Sequence, residues 1–175
     1  MSHLRENIIL IGMPGSGKST VGVILAKLAS QDFVDTDILI QMSAGKSLQE
    51  IVDIDGYMAL RRIEEEVLLN LDAQNCVVAT GGSAVYSPAA MAHLKKMGVI
   101  VFLDVDIATL KSRVRNYETR GLAKRHEQTL EELFSERTAL YRKYADITLD
   151  GSGTTQEEVC EAVLTELRAR KIMPF

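Results

Sequence analysis

Residues 12–19 read G-M-P-G-S-G-K-S, a spacing that matches G-x-x-x-x-G-K-[ST]. Gly12, Gly15 and Gly17 allow backbone conformations that a side chain forbids, so that successive N–H groups can turn inward around an anion. Pro14 and Ser16 fill the loop between them, and Thr20 follows it. A helix opening at this point adds the positive end of its dipole. In such a loop Lys18 reaches the β- and γ-phosphates of a nucleotide and the Ser19 hydroxyl can ligate Mg²⁺. The bland alternative, an ordinary glycine-rich turn, does not require the lysine and the hydroxyl in this order.

A phosphate-binding loop does not by itself separate kinases from GTPases or ATPases. No N-K-x-D base-reading motif is present, which weighs against a GTPase. The acceptor side must decide. D-T-D at 35–37 puts two carboxylates two positions apart behind the apolar pair Phe33-Val34. Alone, they could be a solvated turn or a helix cap. Beside a phosphate loop, one can face metal and phosphates and the other an attacking hydroxyl. Read as a strand, the segment places Asp35 and Asp37 on one side with Thr36 as a spacer. Arg61, with Glu64 at i+3 to hold it, and Arg137 lie in two helical stretches. Guanidinium is suited to two-point capture of a carboxylate, although a lone helix arginine is more often a solvated charge.

These residues need a frame. N-I-I-L-I-G (7–12) reads as a buried strand of a parallel sheet, and 20–29 carries apolar residues at helical spacing. Further strands are expected at 33–34, 76–80, 99–103 and 147–149. Helices are expected at 57–72, from Pro88, from Asp106 to about Arg115, over 129–144 and from Thr155. Ser47/Glu50, Thr129/Glu132 and Thr155/Glu158 are capping-box pairs, and Ser87-Pro88 is an N-cap followed by a favoured first residue. Alternating strands and helices imply an α/β fold, a mostly parallel sheet with helices on both faces and ligands at the strands' carboxyl ends. Gly12 onward, Asp35–Asp37 and Thr80–Ser83 all fall at such ends. The charged, aperiodic segment 116–128 is the best candidate for a mobile lid, and Arg120 within it could close over a phosphoryl group.

The chain has 175 residues, and a single domain over 1–175 is expected. A formal net charge of −4 argues against nucleic-acid or anionic-membrane binding through bulk charge. Cys76 and Cys160 lie in no metal-ligand spacing and read as small buried residues of a reducing compartment. The start, M-S-H-L-R-E-N, is polar, and the first apolar run is too short for a signal or a membrane span. A cytoplasmic protein is therefore expected, and the absence of a long exposed heptad face makes a monomer the default. His3, His93 and His126 read as surface side chains and Met13 as a loop filler.

Taken together, G-M-P-G-S-G-K-S-T (12–20), D-T-D (35–37), G-Y-M-A-L-R-R-I-E (56–64), A-T-G-G-S (79–83), R-V-R-N-Y-E-T-R-G-L-A (113–123) and E-R-T-A-L-Y-R-K-Y-A-D (136–146) resemble the shikimate kinase family, in order and over nearly the whole chain. The resemblance implies a P-loop α/β/α fold with a five-stranded parallel sheet, and ATP with Mg²⁺ phosphorylating a small hydroxy acid. It implies that Asp37 holds the acceptor hydroxyl, that Asp35 joins Ser19 at the metal, and that Arg61 and Arg137 clamp the carboxylate beside Gly81 and Gly82. Arg120 would close on the phosphates with Lys18, and Arg113 would lie along the adenine. The sequence departs from the family pattern at Tyr57, Leu60, Ser83, Gly121 and Ala123. Gly121, standing where the family has proline, is expected to loosen the lid. Two rival readings are a kinase for another hydroxy acid such as gluconate and a catalytically idle nucleotide-binding module.

Overall fold

The computed structural model describes residues 7–114 and 116–172, so the polar N-terminal segment and His3 lie outside the described residues. Five strands, Asn7–Ile11 (β1), Asp32–Asp35 (β2), Cys76–Ala79 (β3), Gly98–Asp104 (β4) and Ile147–Asp150 (β5), form one parallel sheet in the order β2-β3-β1-β4-β5. Their partners are the helices Lys18–Ala29 (α1), Thr36–Ala44 (α2), Leu48–Asp55 (α3), Tyr57–Leu69 (α4), Pro88–Met97 (α5), Ile107–Arg113 (α6), Leu130–Tyr144 (α7) and Gln156–Ala169 (α8).

β1 is buried along its whole length because it is central and covered on both faces. Strand alternation sends Ile9 and Ile11, with Val78, Ile100 and Phe102, toward α5 and α7. Ile8 and Leu10, with Val77, Val99 and Val101, meet Val21 and Leu25 of α1 and Val163 and Leu167 of α8. This is the three-layer α/β/α arrangement expected from the alternation. A smaller cluster joins Ile40, Ile51 and Leu60 of α2, α3 and α4 to Ala123.

The helix after β1 and the helix after β3 cover opposite faces, while β1 and β3 are neighbours. Adjacent strands whose connections diverge leave a crevice at their carboxyl ends. The 12–19 loop and the 80–83 turn flank that crevice.

The three capping boxes form, and the Ser87 hydroxyl accepts from Ala90 N ahead of Pro88. α2 was not anticipated from the sequence. It begins at Thr36, because the Asp35 carboxylate accepts a hydrogen bond from Asp37 N at 3.0 Å and caps the first turn. Asp37 therefore sits on a helix, and the strand alternation expected for the aspartate pair is corrected. Met13 is also more than a loop filler: it is buried in the core beside Tyr141. His93 is half-buried, with Nε2 2.9 Å from the Leu71 carbonyl oxygen, whereas His126 is exposed as expected. Both cysteines are buried and free.

Candidate active site

At the crevice lies a cavity of about 750 Å³. One wall is the glycine-rich loop. Gly15 and Gly17 adopt φ +86° and +97°, in the left-handed region, and α1 starts from Gly17 without a side-chain cap. Its first N–H groups are thus left for a ligand. Pro14, Gly15, Gly17, Lys18, Ser19 and Thr20 face the cavity, while Gly12 and the buried Ser16 lie behind them. Ser16 Oγ is buried with no hydrogen-bond partner. Lys18 Nζ is buried and donates to the carbonyls of Gly12 (2.8 Å) and Met13 (2.9 Å). Burial pushes the Lys18 pKa down to about 8, against the opposing pull of Asp37.

Ser19 Oγ donates to Asp35 Oδ2 at 2.6 Å, so a hydroxyl and a carboxylate stand ready as hard oxygen ligands. Among the described residues no group of three or more acidic, histidine or cysteine side chains forms a cage. A hydroxyl and a single carboxylate suit Mg²⁺, which binds through one or two carboxylates with phosphates and water. The donor chemistry therefore fits the metal implied by the loop.

Asp37 lines the cavity from α2, and burial raises its carboxyl pKa against the lowering influence of Lys18. Thr36 is not a mere spacer. It is fully buried, and its hydroxyl accepts from Gly81 N at 3.2 Å, tying the start of α2 to the 80–83 turn. A Cβ on Gly81 would approach Asp37 Oδ1 to 2.8 Å, and one on Gly82 would approach Arg137 Nη1 to 2.6 Å. Both glycines are therefore required by close approach.

Arg137 of α7 is almost fully buried and reaches the cavity wall. Arg61 of α4 is half-buried behind that wall. Glu64 does not hold Arg61 as the helical spacing suggested. Instead, the Arg61 guanidinium lies 3.6 Å above the Tyr86 ring and 5.2 Å from the Tyr57 ring. Arg61 Nη2 and Arg137 Nη2 both donate to one oxygen, the Ala123 carbonyl, at 3.2 and 3.1 Å. Neither arginine forms an ion pair among the described residues.

The 116–128 segment packs over the cavity. Tyr117 OH donates to the Pro14 carbonyl at 2.9 Å, and Leu122 and Ala123 are buried. Gly121 is held here by a backbone hydrogen bond. Its φ of +63° and its N–H donation to Gln49 Oε1 at 2.6 Å are both unavailable to proline. Arg120 borders the cavity and is exposed. Arg113 also borders it and donates to the Gly151 carbonyl at 3.1 Å.

Sequence reasoning missed several participants. Tyr141 OH donates to the Gly82 carbonyl at 2.6 Å, and Tyr86 OH donates to Glu136 at 2.5 Å. Glu64 is 3% exposed and accepts from Ser83 Oγ, and burial pushes its pKa up to about 7. The available signals were the Tyr141 position in the Y-x-x-x-A-D run, Glu64 at the end of the 56–64 run, and Ser83's departure from a third glycine.

A glycine-rich phosphate loop, a hydroxyl–carboxylate pair beside it and a second carboxylate across the cavity define a P-loop kinase, a transferase acting on a hydroxyl group. The shikimate kinase family model matches residues 14–168. The chain is 34% identical over 170 residues to shikimate kinase 2 of Enterobacter sp. (strain 638), covering 94% of this chain and 97% of that protein. It is 34% identical over 172 residues to a shikimate kinase of Francisella tularensis subsp. novicida (strain U112), covering 96% and 98%. The solved shikimate kinase of Acinetobacter baumannii, in complex with shikimate, superposes with a TM-score of 0.85 at 30% identity over 95% of each chain. This chain belongs to the shikimate kinase family.

Proposed function

We propose that this chain transfers the γ-phosphoryl group of ATP to a hydroxyl of shikimate, giving 3-phosphoshikimate for aromatic amino acid biosynthesis. The observation that carries the reading is the convergence of Arg61 and Arg137 on one oxygen. Two guanidiniums at 3.2 and 3.1 Å from one carbonyl, with no carboxylate partner among the described residues, form a receptor for the carboxylate of a small acid. The Ala123 carbonyl stands where that carboxylate would bind.

The roles follow from position. The loop N–H groups and Lys18 hold the β- and γ-phosphates, and Arg113 borders the adenine end. Ser19 and Asp35 would hold Mg²⁺, which would neutralise charge on the phosphates. Arg61, Arg137 and the Gly81–Gly82 backbone seat the acid. Asp37 orients its hydroxyl and accepts its proton, and burial makes that carboxylate a better base. Arg120 meets the transferring group from the lid, whose apolar residues exclude water. We place the protein in the cytoplasm as a monomer without nucleic-acid or membrane partners. The buried free thiols support the compartment, and the formal net charge of −4 supports the lack of nucleic-acid and anionic-membrane partners.

A coupled ADP-release assay over a panel of hydroxy acids tests the reading. Shikimate should give the highest kcat/KM. A preference for gluconate or another polyol acid would overturn the acceptor assignment, and no turnover with any acid would favour an idle nucleotide binder.

A further inference from the structure

We propose that Ser83 is a positioning residue for the acceptor: its hydroxyl holds the Glu64 carboxylate turned so that one oxygen faces the cavity as a hydrogen-bond acceptor. Glu64 and Ser83 both line the cavity, and both are buried, at 3% and 7% exposure. Ser83 Oγ donates to Glu64 Oε2. Glu64 Oε1 is buried, has no hydrogen-bond partner and lies against Gly81, the residue that also meets Asp37. A buried carboxylate oxygen with no donor is costly unless a ligand completes it.

The neighbouring groups do not supply that donor. Lys18, at the start of α1, spends hydrogen bonds on the Gly12 and Met13 carbonyls. Arg137 Nη2 on α7 is directed at Ala123. Tyr141, also on α7, donates to the Gly82 carbonyl. Asp37 on α2 is a like charge that opposes ionisation of Glu64. Arg61, one turn away on α4, is stacked between Tyr57 and Tyr86. Ser83 is thus the hydrogen-bond donor to Glu64 among the described residues. With glycine at 83, both carboxylate oxygens would be unpaired, and the group would take up a proton at a higher pH. A protonated Glu64 offers the acid a different hydrogen-bond pattern.

The inference rests on the acceptor reading above, and the experiment separates the two. Steady-state kcat and KM for shikimate and for ATP are measured from about pH 5.5 to 9, a range spanning the titration of a raised carboxyl, in the full chain and in Ser83→Ala, Ser83→Gly and Ser83→Thr. Losing a hydrogen bond to a charged group raises the shikimate KM of the alanine and glycine variants about tenfold near neutrality. The acidic limb of kcat/KM for shikimate moves up by about one pH unit. The ATP KM stays unchanged, and Ser83→Thr keeps the parent profile. In a Glu64→Gln background, Ser83→Ala should add no further change. An unmoved acidic limb, a parallel rise in both KM values, or a full tenfold effect in the Glu64→Gln background overturns the proposal. A parent chain that does not phosphorylate shikimate overturns the acceptor reading instead.

Discussion

Replacing Glu64 with glutamine should stabilise the protein above neutral pH and do so progressively less in acid. Burial raises the Glu64 pKa from the ordinary 4.5 to about 7, opposed in part by the Ser83 hydrogen bond. Between these values the folded chain binds a proton that the unfolded chain has released, so stability falls as pH rises through the window. At about pH 5 little of the penalty is present, and at about pH 8 nearly all of it is. A tenfold difference in proton affinity between the folded and unfolded chains is worth about 1.4 kcal/mol, so the advantage of Glu64→Gln over the parent should grow by about 2–3 kcal/mol across that range. With a urea slope of about 1–3 kcal/mol per molar, the midpoint difference should widen by roughly 1 M or more. Urea titrations of both proteins at intervals of about one pH unit through the window measure it. A midpoint difference that stays constant across that range would refute the claim that the Glu64 charge is held against its burial cost.

Three other substitutions probe the site. Asp37→Asn should lower kcat by about 10²- to 10⁴-fold while ATP affinity, read by nucleotide titration, stays close to the parent's; parent-like turnover would remove Asp37 from its role. Arg61→Ala should raise the shikimate KM by about 10- to 100-fold with a smaller effect on the ATP KM, and an unchanged shikimate KM would sink the carboxylate clamp. Asp35→Ala should raise the Mg²⁺ concentration needed for half-maximal activity and, by removing the α2 cap, lower stability by about 1 kcal/mol. A parent-like metal titration would place the metal elsewhere.

The parts legible in the sequence were those written in local chemistry. The phosphate loop carries its own backbone requirement in Gly15 and Gly17, and the capping boxes are closed by residues three apart. α2 was not legible, because Ile38, Leu39 and Ile40 form an unbroken apolar run without helical period. The cap that starts it uses Asp35, for which a helix cap was one of the readings weighed beside metal ligation. Glu64 was misassigned for a related reason. The i+3 rule describes an isolated helix, whereas two aromatic rings and the Ala123 carbonyl won Arg61 and Ser83 won Glu64. Partners such as Tyr86, Thr36 and Ala123 meet the site across tens of residues, and no short-range spacing encodes them.

Asp35 divides its two oxygens between different neighbours: Oδ1 receives the backbone N–H of Asp37, and Oδ2 receives the Ser19 hydroxyl. Any cation drawn to Ser19 and Asp35 pulls on the same side chain that starts the helix carrying Asp37. Ion radius and preferred coordination distance thus become geometric variables of the acceptor half of the cavity. Exchanging Mg²⁺ for a larger divalent ion would then be expected to shift Asp37 through the Asp35 cap.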